Sequence, residues 1–161
     1  MKITNLIIGF ILGIIMTGIT VWLTMPGMML TERQSPYSVE ETVAKISANA
    51  KAESWVISSI QPLHKSVKKH GGGDLPPVIL INLCQANHAY KILKEDKNKV
   101  ISVMMPCTIS VYQKSDGHVY VGTMNAGLLG TMFGGTVAEV MGGTVAAQQQ
   151  KFITFINDKG M

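Results

Sequence analysis

Ile101-Ser-Val-Met-Met-Pro-Cys-Thr-Ile-Ser-Val-Tyr-Gln113 is the stretch on which the fold turns. Apolar and polar side chains alternate along it, the pattern of a strand with one face on a core. Ile101, Val103, Met105, Cys107, Ile109 and Val111 face one way; Ser102, Met104, Pro106, Thr108, Ser110 and Tyr112 face the other. Ser115-Asp116-Gly117 then offers a tight turn and His118 to Met124 a partner, so two strands should close as an antiparallel hairpin. Proline cannot donate to a strand ladder. Pro106 therefore marks an edge or a bulge, where the alternation can change sides.

Upstream, Pro76-Pro77 delivers an extended chain into Val78-Ile-Leu-Ile-Asn-Leu-Cys84, a buried strand. Gln85 to Asp96 follows as a helix with Ala86, Ala89, Tyr90 and Leu93 along one side. Trp55 to Leu63 alternates as a half-buried strand, and His64 to Gly73 is a short helical turn ending in glycines. Ser38 can cap a helix in which Glu41 stands three residues on, the capping-box spacing. Val39, Val43 and Ile46 continue that helix to about Ser54, and Met28 to Tyr37 is a linker running into a first strand. With Ala126 to Asp158 as a last helix, the order is that of an α+β domain: a largely antiparallel sheet with packed helices.

Ahead of this domain lies an apolar run from Ile3 to Leu30, broken by no charge and followed by Thr31-Glu32-Arg33. A membrane-spanning helix needs about 20 apolar residues, so the run is long enough to cross a bilayer. Trp22 near its far end suits the headgroup layer, and Pro26-Gly27 should end the helix. Lys2 and the free amino terminus hold the start in the cytoplasm by the positive-inside tendency, sending the domain to the periplasmic or extracellular side. A cleaved signal peptide fits less well, because its apolar region runs about 7–15 residues and ends in an A-x-A-like site. Gly9-x-x-x-Gly13, with Thr17 beyond, is a small-residue face able to pair helices. The chain divides into an anchor (residues 1–30), an α+β domain (31–125) and a glycine-rich helical tail of the same domain (126–161), able to serve as a packing or oligomerisation helix.

Of 161 residues, 47% are hydrophobic and 15% charged, with a net charge of +4. Removing the anchor leaves about 130 residues, enough for one domain and few for two. No Lys/Arg run exceeds Lys68-Lys69, which gives nucleic-acid binding no support. In the tail, Gly130, Gly134, Ala138, Gly142 and Ala146 fall every fourth residue, with Phe133, Val137, Met141 and Val145 on the next row. Glycine in a helix interior costs about 1 kcal/mol relative to alanine, so close packing must offset several of them. Three partners are open: the domain's own sheet, a second subunit in a homo-oligomer or larger membrane complex, and lipid.

Tyr37-Ser38-Val39-Glu40-Glu41-Thr42-Val43, the strand ending in Leu83-Cys84 with a helix from Ala86, the strand Met105-Pro106-Cys107-Thr108-Ile109-Ser110-Val111-Tyr112 and the turn Asp116-Gly117 occur in that order. Together they resemble the DUF302 family, a domain of unknown function, over roughly Thr31 to Asn125. The resemblance implies a compact α+β domain like the TATA-box-binding-protein fold, often dimeric, with no established reaction. The anchor and the tail lie outside it.

Chemistry centres on sulfur. Cys84 ends one strand and Cys107 sits in the next, and neighbouring strands lie about 4.8 Å apart. Their sulfurs can reach one another if the register agrees, as structural thiols, a disulfide or redox dithiol, or a shared metal site. Methionine and cysteine sulfur favour Cu(I), and Met104, Met105 and Met124 are candidates to surround the ion. His88 follows Cys84 by four residues and is the histidine best placed to join them; His64, His70 and His118 are scattered. Non-covalent haem on a Met, His or Cys ligand is a further option, while covalent attachment has no C-x-x-C-H motif. No G-x-S-x-G, H-E-x-x-H or phosphate loop is present. Three functions follow: a membrane-anchored module binding a soft metal, haem or a sulfur species at Cys84, Cys107, Met105 and His88; a structural subunit; and a thiol redox protein.

Overall fold

A computed structural model describes residues 3–156; Lys2 and the expected helical end at Asn157 and Asp158 lie outside them. The chain is α+β. A helix, α1 (Ile3–Met29), leads into strand β1 (Leu30–Ser35), then α2 (Val39–Ala52), β2 (Val56–Pro62), α3 (Leu63–Lys69), β3 (Val78–Cys84) and α4 (Ala86–Leu93). A 3₁₀ helix (Asp96–Met104) precedes the hairpin β4 (Cys107–Gln113) and β5 (Val119–Met124). α5 (Ala126–Phe133) and a helical run over residues 135–152, here α6, close the fold. The five strands pair antiparallel throughout in the order β1-β5-β4-β3-β2.

One face of the sheet carries the core. Ile81 and Leu83 of β3, Cys107, Ile109 and Val111 of β4, and Val119 and Val121 of β5 are buried beneath Ile46 of α2, Ile92 of α4, and Val140, Val145 and Phe152 of α6. The capping box forms as the spacing predicts: the Glu41 N–H donates to Ser38 Oγ, and the Ser38 N–H to the Glu41 carboxylate. β3 occupies the predicted residues.

Several expectations are corrected. Only Cys107–Gln113 of the opening stretch is a strand. Ahead of it, the three-residue period of the 3₁₀ helix buries Ile101 while Val100 and Val103 point to solvent, so the apolar pair at 101 and 103 imitated a strand by coincidence. In α4, Ile92 faces the core and Tyr90 faces out. α1 runs past Pro26-Gly27 to Met29, and no linker separates it from β1. A proline forfeits its own helical hydrogen bond, but the residues after it can still donate.

The tail is two helices rather than one. Gly134 and Gly135, both at positive φ, turn the chain between α5 and α6. The glycine stripe then folds on itself: a Cβ at Gly130 would lie 2.5 Å from the Gly142 nitrogen, a separation no alanine tolerates without backbone movement. Ala138–Val145 within α6 is π-helical, a widened geometry that is rare over eight residues.

Asn125 ties three elements together. Its N–H donates to the Met29 carbonyl (2.9 Å) and its Nδ2 to the Met28 carbonyl (3.0 Å), closing the end of α1. Its Oδ1 accepts from the Leu128 N–H (3.0 Å), capping α5.

These contacts set two expectations for full-length protein unfolded in mild detergent by denaturant and followed by far-UV circular dichroism. Asn125→Ala keeps the backbone bond to Met29 but loses both side-chain bonds, to Met28 and Leu128, and should cost about 1–2 kcal/mol. Gly130→Ala should cost about 1–3 kcal/mol through overpacking, whereas Gly143→Ala, with open space at its Cβ, should be neutral or stabilising by up to about 1 kcal/mol. Equal effects at Gly130 and Gly143 would mean that the stripe is no packing seam.

Candidate functional site

A cavity of about 20 Å³ lies where β3 and β4 meet α4 and α6, and Cys84, Cys107, Met105 and His88 all line it. The register explains the meeting. Leu83 pairs with Cys107, so Cys84 is one residue past the pairing, where β3 turns through Gln85 into α4. Gln85 caps α4 by accepting from the His88 N–H (2.9 Å), and this first turn brings His88 back over the strand ends. Both cysteines are free thiols, Cys107 buried and Cys84 half-buried. Burial first, and the nearness of Cys84 second, push the Cys107 thiol up to about 11.

His88 is oriented by a residue with no sequence signal. Gln148 of α6 accepts from the Trp55 indole N–H through Oε1 (3.0 Å), and His88 Nε2 lies 2.9 Å from the same oxygen. An indole only donates, which identifies the atom as the amide oxygen; that oxygen only accepts, so His88 Nε2 carries the proton. In the neutral ring Nδ1 is then the nitrogen with a lone pair to offer. Trp55 meets His88 and Phe152 edge-on (5.8 and 5.4 Å between centroids), walling the cavity with aromatic surface.

Met124 lies elsewhere. It pairs with Leu30 and faces the open side of the sheet, in a trough of about 470 Å³ that also holds Glu32 and Tyr112. Lys114 (2.6 Å) and Tyr112 both donate to the Glu32 carboxylate there and hold it below the usual carboxylate range. Among the described residues no three His, Cys, Asp or Glu side chains gather as a metal-binding group. The arrangement near Cys107 is thus two thiols with a thioether and one imidazole at its margin, around space for a single water-sized or atom-sized occupant. A porphyrin does not fit it.

The sheet, the helices on one face and the thiol cavity define a small α+β domain with one sulfur-lined recess. The chain belongs to the DUF302 family: the family model, described as a domain of unknown function, matches residues 31–156. That match takes in the glycine-rich tail as far as residue 156. A crystal structure of an uncharacterised conserved DUF302 protein from Bacillus stearothermophilus shares the fold with a TM-score of 0.70 at 15% identity, covering 81% of this chain and 99% of that one. Among curated proteins no sequence matches this chain.

The two thiols should differ in reactivity. Iodoacetamide with peptide mass spectrometry at pH 8 should modify Cys84 well before Cys107, and Cys107 labelling should accelerate as pH rises towards about 11. Equal rates at pH 8 would contradict the burial assigned to Cys107.

Proposed function

We propose that this chain is a membrane-anchored DUF302-domain protein whose domain, on the outer side of the cytoplasmic membrane, binds a single soft metal ion, Cu(I) by its chemistry, at Cys84 and Cys107. The observation that carries the reading is that both free thiols and the Met105 thioether line one atom-sized cavity. Soft sulfur donors of low number suit Cu(I), whereas zinc takes four ligands. Binding replaces the two thiol protons, which pass to solvent. The high proton affinity of Cys107 counts against the thiol redox alternative, because a nucleophilic cysteine needs its thiolate.

The anchor half of the reading rests on α1. It has one window, Ile7–Met25, long and apolar enough to cross a membrane, and none of it is buried by the domain. Its polar groups suit a lipid setting: the hydroxyls of Thr17, Thr20 and Thr24 return to carbonyls of the preceding turn (2.8–2.9 Å). Twenty-seven helical residues extend about 40 Å against a hydrocarbon core of about 30 Å.

The test is anaerobic titration of the reduced full-length protein with Cu(I) against a chromogenic chelator. One equivalent should be retained, and Cys84→Ser or Cys107→Ser should each weaken retention by more than about tenfold, or about 1.4 kcal/mol. Met105→Leu should weaken it less. Failure to compete, or competition unchanged in both serine variants, overturns the metal reading.

A further inference from the structure

We propose that the end of the domain from which α1 departs is a bilayer-docking face, so that the protein meets the membrane through a second, apolar surface besides its anchor. The inference rests on the anchor reading above and goes beyond it. The strand registers establish which end this is. Leu30 pairs with Met124, Ile109 with Thr123, Leu83 with Cys107, and Val56 with Cys84, so Leu30, Met124, Cys107, Cys84 and Val56 lie at one end of the sheet. Ser35, Val119, Gln113, Val78 and Pro62 lie at the other. α1 joins the first end without a linker, is closed there by Asn125, and stays unburied along its spanning window, so it points away from the domain.

The same end carries apolar side chains that no core needs. The 3₁₀ helix feeds into Cys107 and repeats every three residues, which aligns Lys97, Val100 and Val103 as one outward ridge. Val100 is 68% and Val103 86% exposed. α5 starts at the Asn125 cap and is about 12 Å long, which keeps its last residues, Met132 (54% exposed) and Phe133 (51%), close to the exit of α1. Phe133, Val100 and Lys97 line one cleft, so the two elements present a shared surface. Lys97 lines it, Lys94 and Lys99 lie within three residues of Lys97 in sequence, and Glu95 and Asp96 pair with Lys97 and Lys99. An apolar ridge with a basic border, held beside a spanning helix, matches the interfacial layer of a bilayer, where valine and phenylalanine bury and lysine reaches the headgroups. In this orientation the thiol cavity, at the same end of the sheet, opens close to the lipid surface.

Two native tryptophans make the test direct. Trp22 stands exposed in α1 and reports on the anchor; Trp55 is buried beside the thiol cavity, and its emission in Trp22→Phe is the baseline for the added residues. Full-length protein is placed in phosphatidylcholine–phosphatidylglycerol vesicles with and without chains brominated near the headgroup. Trp22 emission should be quenched, and Trp22→Phe should remove most of the quenching. In the Trp22→Phe background, Val103→Trp and Phe133→Trp should each lose roughly half of their added emission, while Lys68→Trp, at the far end of the sheet, should lose little. Quenching of Trp22 in the parent with none at positions 103 and 133 overturns the docking face and leaves the anchor standing. No quenching of Trp22 overturns the anchor reading and the docking face with it. Emission at position 103 that shifts to the blue only as protein density rises would assign this face to a second copy of the chain and also overturn the proposal.

Discussion

Asn125 is the joint on which the geometry of this protein depends. An α-helix ends with carbonyls that lack partners, and another begins with N–H groups in the same condition. One side chain and one backbone N–H settle parts of both debts at the point where β5 ends. Because β1 starts at the residue after α1 and pairs with β5 from Leu30 to Ser35, the apolar helix, the sheet edge and α5 share one attachment. A flexible tether would let the domain tumble relative to that helix. This one sets which end of the sheet faces the place where the helix goes.

The sheet itself is one-sided. Its buried face alternates through Cys107, Ile109 and Val111 against helices, and its other face carries Tyr112 and Tyr120 stacked at 6.1 Å beside the Glu32–Lys114 pair. That pair is exposed, so its contribution to stability is small, and its effect is local ordering of the open face. The thiol cavity belongs to the buried side. Its lining comes from the end of β3, one residue past its pairing with β4, from the start of β4, and from Trp55, α4 and α6.

Elements with local causes were legible in the residues. The capping box at Ser38, the run Val78–Cys84 and the hairpin around Asp116-Gly117 each carry their instructions within a few positions, and each forms as read. Elements decided by distant partners were not. Ile101 and Val103 obey a strand's alternation, but only the packing of Ile101 reveals a period of three. The glycine stripe reads as one helix until Gly134 and Gly135 take positive φ and fold Gly130 against Gly142. At the candidate site, Cys84, Cys107, Met105 and His88 were nameable from their chemistry and spacing. Met124 was misplaced because strand adjacency does not say which face a side chain takes. Gln148, which orients His88, lies in a run of three glutamines with nothing to distinguish it from its neighbours.

The burial that makes Cys107 a poor nucleophile is compatible with holding a metal. At a thiol whose proton leaves only near pH 11, about one molecule in ten thousand is ionised at neutral pH, which starves any reaction that begins with a free thiolate. A soft cation does not wait for that fraction; it competes with the proton for the same lone pair, and burial that excludes water strengthens the resulting charge pairing. The cost falls on pH dependence, since each proton displaced makes retention tighter as pH rises. On the proposed metal reading, a recess with those properties, at the end of the sheet from which α1 departs, would keep an ion from solvent while leaving little thiolate for exchange.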